Sequence, residues 1–141
     1  MAVSAEQRNL VRQRAGARCE YCLLPEAIAL VSHEVDHVVA RKHRGSDDIQ
    51  NLALSCTLCN KCKGTDLTSL DPDTGDITPL FNPRRDLWSD HFRLDGAFIV
   101  GRTDVGRCTA FLLQLNRPER LDERRRLLDA GLLVPGHGVS E

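Results

Sequence analysis

Aromatic residues are scarce in this chain of 141 residues: one Trp, one Tyr and four Phe, 4% in all. The hydrophobic share of 41% still permits a globular core. No apolar run approaches the ~20 residues that cross a bilayer, which excludes a membrane-spanning helix. The opening residues, MAVSAEQRNLVRQR, lack a signal-peptide apolar region. The expected setting is therefore the cytoplasm, where thiols stay reduced. There is no repeat and no low-complexity segment, so a single domain, or a small module with an appendage, is expected. A net charge of −1 does not by itself announce a nucleic-acid partner.

What is present concentrates between Cys19 and Gly64. Cys19/Cys22 and Cys56/Cys59 are two Cys-x-x-Cys pairs, the spacing of two thiolates on one tetrahedral Zn²⁺. The 33 residues between the pairs make a long loop for one ion to close. Disulfides or unrelated buried thiols would be the alternative, but the absence of a secretory signal favours zinc. Cys59-Asn60-Lys61-Cys62 is a third, overlapping pair, so either Cys56 or Cys62 can complete the site with Cys59. We assign Cys56, with Cys62 a free thiol on the following helix. Cys108 has no partner in sequence and reads as a small buried apolar residue.

Inside the loop, His33-Glu34-Val35-Asp36-His37 spells the H-E-x-x-H pattern of zinc proteases. That reading needs a helix, and Pro25-Glu26-Ala27 could start one. Val35, Val38 and Val39 instead favour a strand, no third ligand follows, and the cysteines and both asparagines stay unexplained.

The whole constellation has a better parallel. Asp36-His37-Val38-Val39, Gly45, Asn51-Leu52-x-Leu54 and Cys56-x-x-Cys59-Asn60-x-x-Lys63-Gly64 resemble the zinc-containing branch of the HNH nucleases, over residues 15–66. The resemblance implies a ββα-metal core, two strands and a helix around one divalent cation. It implies His37 as general base and Asn51 as the residue that holds the loop and orients the base. It implies Asp36 and Asn60 as ligands of a catalytic cation such as Mg²⁺, Mn²⁺ or Ni²⁺, beside a structural zinc on Cys19, Cys22, Cys56 and Cys59. Many members have histidine where Asn60 stands, so this chain is an H-N-N variant. An amide oxygen suits a hard cation better than a soft one.

These residue types suit phosphodiester hydrolysis. A neutral histidine can take a proton from water near pH 7. A metal can polarise the phosphate and stabilise the leaving oxygen. The implied function is a metal-dependent DNA endonuclease acting on duplex DNA. The alternative is a catalytically inactive zinc-stapled module that binds DNA or protein, with Asp36 and His37 merely satisfying a loop. Charge is uneven: residues 1–64 hold nine Lys/Arg against seven Asp/Glu, residues 65–100 three against seven, residues 101–141 seven against six. Arg41, Lys42, Arg44, Lys61 and Lys63 lie close in sequence to the site and are the candidate nucleic-acid contacts.

The predicted fold class is α+β: a ββα-metal core stapled by four cysteines, with an N-terminal helix and a C-terminal α/β extension. The division expected is residues 1–66 for the nuclease module and 67–141 for the extension packed on it. Ser4 and Gln7 fit a capping box opening a helix from Ala5 to Ala15, whose Arg8, Arg12 and Arg14 could meet phosphate, with a solvated face the preferred reading. Ala27–Val31 is predicted extended, Val35–Val39 and Asn51–Ser55 strands, and Thr57–Lys63 a helix ended by Gly64. Asp71–Asp76 reads as a turn, and Asp86–Phe92 as a helical turn or two with Trp88 and Phe92 packed together and His91 capping the core. Ala97–Arg102 reads as a strand, and Asp104–Leu115 as a helix with Phe111, Leu112 and Leu115 inward. Pro118 starts a last helix to Ala130, stopped by Gly131, with Arg120, Arg124, Arg125 and Arg126 on a salt-bridged solvent face. The tail beyond Leu133 is predicted loose.

Overall fold

The computed structural model describes residues 3–133, and the tail after Leu133 lies outside them. Helix α1, Ala5–Arg14, opens with the predicted capping box: the Gln7 amide donates to Ser4 Oγ at 3.1 Å, and the Ser4 amide donates to Gln7 Oε1 at 2.9 Å. Two orphan N–H groups of the first turn are satisfied at once.

Strand β1, Glu34–His37, pairs antiparallel with β2, Leu52–Ser55, in the register Glu34↔Ser55, Val35↔Leu54, Asp36↔Ala53 and His37↔Leu52. Every residue of β2 is buried. Val3, Val11, Leu52 and Leu54 form one small core, with α1 laid on β2. Helix α2, Thr57–Lys63, follows β2 directly, and Gly64 ends it at φ 53°. These three elements are the predicted ββα unit. H-E-x-x-H is therefore not a helical motif here: His33 precedes a strand, and its Nε2 lies 2.8 Å from the Leu24 carbonyl.

Ala27–Val31 is a correction in part. Glu26–Ile28 is a 3₁₀ turn, with extended backbone resuming at Ala29. Glu26 bends the chain because its carboxylate accepts from Arg12 Nε at 3.0 Å and from the His33 amide at 2.9 Å. Arg12 and Arg14 are thereby engaged rather than merely solvated, since Arg14 donates to the carbonyls of Ile49 at 2.9 Å and Leu52 at 2.5 Å.

The remainder is two further hairpins and three helices. β3 (Thr68–Leu70) pairs with β4 (Ile77–Pro79) across the predicted Asp71–Asp76 turn. Helix α3 (Trp88–His91) leads into β5 (Phe92–Asp95), which pairs with β6 (Phe98–Gly101). Trp88 and Phe92 pack at a ring separation of 5.1 Å. His91 stacks edge-on against Phe81, with Nδ1 2.7 Å from Thr103 Oγ1. Helix α4, Asp104–Leu112, stops earlier than predicted. Gln114 turns left-handed at φ 52°, which carries Leu113 and Leu115 inward and leaves Phe111 65% exposed.

Helix α5, Pro118–Asp129, has Pro at its first turn, and Gly131 follows at φ 73°. Its arginines are not one solvent face. Arg120 and Arg124 are buried with Leu127, at spacings of four and three, while Arg125 and Arg126 are exposed. The fold class is α+β, with small antiparallel sheets. The main core joins Cys19, Tyr21, Cys22, Cys56 and Cys59 to Phe81, Trp88, Phe92, Leu113 and Leu127, so residues on both sides of position 66 share it.

Candidate functional site

Cys19, Cys22, Cys56 and Cys59 bring their four sulfurs within 4.8 Å of one another, all buried, and this cluster could hold a zinc ion. Tetrahedral Zn²⁺ at Zn–S ~2.3 Å sets its ligand sulfurs ~3.8 Å apart. Cys22 Sγ and Cys56 Sγ are 3.6 Å apart. In each pair the second cysteine's amide points at the first one's sulfur: Cys22 to Cys19 Sγ and Cys59 to Cys56 Sγ, both at 3.4 Å. Amides aimed at sulfur favour the thiolate form that a metal needs. Cys62 is half-buried and outside the cluster, which decides for Cys56. Cys108 is buried, as predicted.

The cluster carries cationic company that the sequence reading missed. Arg120 Nη2 donates to Cys59 Sγ at 3.1 Å and lies 3.7 Å from Cys56 Sγ, while Nη1 donates to the Leu113 carbonyl at 2.9 Å. Burial alone would lower the Arg120 pKa, but the charges of Cys22 and Cys59 outweigh it and the net direction is up. Four thiolates on one dication leave two negative charges, and a buried guanidinium beside them offsets part of that excess.

Strand β1 presents Asp36 and His37, and α2, four residues after Cys56, presents Asn60. All three line one cavity of about 340 Å³, together with Arg41 and Lys42. Asp36 is 5% exposed. Its Oδ2 is 3.1 Å from the Lys63 ammonium and accepts from the Tyr21 hydroxyl at 3.1 Å. Burial pushes the Asp36 carboxyl up, against the pull of Lys63. Asn60 Nδ2 donates to Glu34 Oε1 at 2.7 Å, leaving its amide oxygen for another partner. His37 Nε2 is 2.7 Å from Asp47 Oδ1.

Asn51 sits behind this wall. Its Oδ1 accepts from the Val39 amide at 2.9 Å, and its Nδ2 donates to the carbonyls of Val39 at 2.9 Å and Ser46 at 2.8 Å. Both arms of the loop between β1 and β2 are thereby clamped. Gly45 is required there, because a Cβ would stand 1.6 Å from the Val39 oxygen.

Residues 19–66 match the family model of the HNH endonucleases. The match opens on the first cysteine of the cluster and takes in β1, β2 and α2. No curated protein and no solved structure gives a significant match. The match suggests a nuclease-type or nucleic-acid-binding function for residues 19–66, which contain the cysteine cluster that could hold zinc.

Arg41 and Lys42 line the cavity and are exposed, and Arg44, close to them in sequence, and Lys61, next to Asn60, are exposed as well. Arg41 also reaches Asp47, with Nη2 2.9 Å from Oδ1. Lys63 differs from the others. It is 2% exposed, and its ammonium donates to Asp36, to the His37 carbonyl at 3.2 Å and to the Val38 carbonyl at 3.3 Å. It lies four residues after buried Cys59, on the inner face of α2.

The oxygen donors of Asp36 and Asn60 line one cavity, a donor set whose chemistry would suit a hard cation. The carboxylate already has an ammonium at 3.1 Å, so a dication held there would share Asp36 with Lys63. Among the described residues, no other group of three or more His, Cys, Asp or Glu side chains converges as the cysteines do. Tyr21, Glu34 and Asp47 contribute to the site and were not singled out from sequence. Glu34 was legible as the residue two before Asp36, hence on the same face of β1. Tyr21 was legible only as the middle of a Cys-x-x-Cys unit.

Proposed function

We propose that this protein is a metal-dependent endonuclease that hydrolyses phosphodiester bonds of duplex DNA. The observation that supports the reading best is that Asp36, His37 and Asn60 line one cavity with two exposed cations at its rim, inside the HNH segment. A phosphate seated there meets Arg41 and Lys42 at once, and exposed Arg44 and Lys61, next in sequence to the site, add further positive charge for the backbone of DNA. His37, half-buried on the edge of β1, accepts the proton of a water attacking the phosphorus. Asp36 and Asn60 would hold the divalent cation, which when bound polarises the phosphate and stabilises the leaving oxygen. Asn51 keeps the loop closed so that His37 and the cationic rim hold their places. Cys19, Cys22, Cys56 and Cys59 would hold the structural zinc, joining the N-terminal knuckle to α2.

Supercoiled plasmid incubated with purified protein and Mg²⁺, Mn²⁺ or Ni²⁺ tests this. Nicked or linear product with a divalent ion, and none with EDTA, is the expected result. DNA that is retarded on a gel but never cut under any of the three ions would instead support a binding module.

A further inference from the structure

His37 is fixed at both ends. Its backbone lies in β1, and its Nε2 is 2.7 Å from Asp47 Oδ1. The same oxygen is 3.0 Å from Arg41 Nε and 2.9 Å from Arg41 Nη2. Hydrogen bonds from His37 and then Arg41 hold the Asp47 carboxyl below its ordinary range. An ionised carboxylate only accepts hydrogen bonds, so the shared proton belongs to Nε2. In the neutral ring the lone pair then falls on Nδ1.

We propose that Asp47 is a positioning residue for His37, fixing the imidazole in the Nε2–H tautomer so that Nδ1 is the nitrogen that accepts a proton. The inference rests on the reading of His37 as the base. When Nδ1 takes its proton, the ring becomes a cation, and the Asp47 carboxylate already faces it.

The loop is built to present this carboxylate. Gln7 of α1 reaches across and donates Nε2 to the Asp47 carbonyl at 2.9 Å. Asn51 holds the preceding carbonyl, that of Ser46. The following residue, Asp48, caps the next 3₁₀ turn by accepting from the Gln50 amide at 3.1 Å. Three side chains thus pin the backbone at 46–48. A loop residue serving only as turn chemistry needs neither the reach from α1 nor an imidazole as its partner. Arg41 ties the device to the cationic rim, because one guanidinium touches the carboxylate and lines the cavity.

The test uses full-length ¹⁵N-labelled protein and the near-isosteric Asp47→Asn variant. Long-range ¹⁵N–¹H correlation reads the His37 tautomer directly. The parent should show Nε2–H, and Asp47→Asn should show a mixed or Nδ1–H ring. On plasmid, Asp47→Asn should lower kcat by ~10²–10⁴-fold with KM little changed. Asp47→Glu should restore part of both signals, which a variant that merely loosened the loop would not do. A parent ring in the Nδ1–H form, or a tautomer unmoved by Asp47→Asn, overturns the proposal. If the parent cuts nothing, the spectrum still decides: a tautomer that moves supports Asp47 while the nuclease reading fails, and one that does not move sinks Asp47 as well.

Discussion

At the scale of the residue, Lys63 is the position where chemistry and sequence spacing part most clearly. Its ammonium is buried against Asp36 and two carbonyls. Basic residues near a nuclease motif read as phosphate contacts, and four of the five here are exposed. The fifth was separable only by counting back one helical turn to Cys59, which is fully buried. Replacing Lys63 with Met keeps the stem and removes the charge, leaving Asp36 with only the Tyr21 hydroxyl. The expected loss is about 3–5 kcal/mol in denaturant unfolding with zinc present, because an unpaired buried carboxylate remains. A Lys63→Met protein as stable as the parent would show that the pair contributes nothing to the fold. The Asp36-His37 dyad, Asn51 and Asn60 were legible because each is fixed by a rigid spacing within the HNH motif. Asp47 was not, because a carboxylate in Gly45-Ser-Asp-Asp has an adequate local explanation as turn chemistry.

At the scale of the element, α5 carries the largest surprise. Interleaved Arg and Glu/Asp suggested a solvated face, yet Arg120, Arg124 and Leu127 follow the helical period of a buried stripe. The signal was present, but a charged residue at a core position is rare enough to be discounted. Nothing in α5 alone states that four sulfurs wait on the other side. Arg120→Met should weaken zinc by ~10–100-fold in a chelator competition, as loss of support around a metal's ligands typically does. Arg126→Met, on the exposed side of the same helix, should leave affinity unchanged. Equal affinities for Arg120→Met and parent would remove Arg120 from the site. The β3–β4 hairpin supplies a pH test. Asp71 accepts from Arg107 Nη2 at 2.8 Å and from Arg107 Nε at 3.1 Å, and the Asp73 amide and Thr74 hydroxyl add to this, so its pKa falls to about 2. The unfolded carboxyl titrates near ~3.9. A lowered folded pKa contributes stability that is fully present above the unfolded value and is lost as pH falls through the folded one. Asp71→Asn should therefore be less stable than the parent at pH 7, and the gap should narrow between about pH 4 and pH 2. A gap that stays constant over that range would show that the Asp71 charge is not what holds hairpin to helix.

At the scale of the whole molecule, the cysteines are the hub. The Cys19–Cys22 knuckle meets α2 through sulfur and meets the C-terminal elements through polar contacts: Trp88 Nε1 donates to the Tyr21 carbonyl at 2.9 Å, and Arg84 pairs with Glu20. Glu20 also accepts from the Leu54 amide at 2.9 Å. The α+β class and the ββα order were legible because strand, helix and cap signals there agree with one another. The way the C-terminal residues join the cysteine cluster was not, since long-range packing leaves no local signature. Under the proposed function, this scaffold holds His37 against a bound phosphate. The most direct measurement compares plasmid cleavage by parent and His37→Ala, with zinc content and DNA affinity measured on the same samples. His37→Ala should lower the rate by ~10²–10⁴-fold, with zinc and DNA binding nearly intact. Equal cleavage by the two proteins would contradict the proposed function.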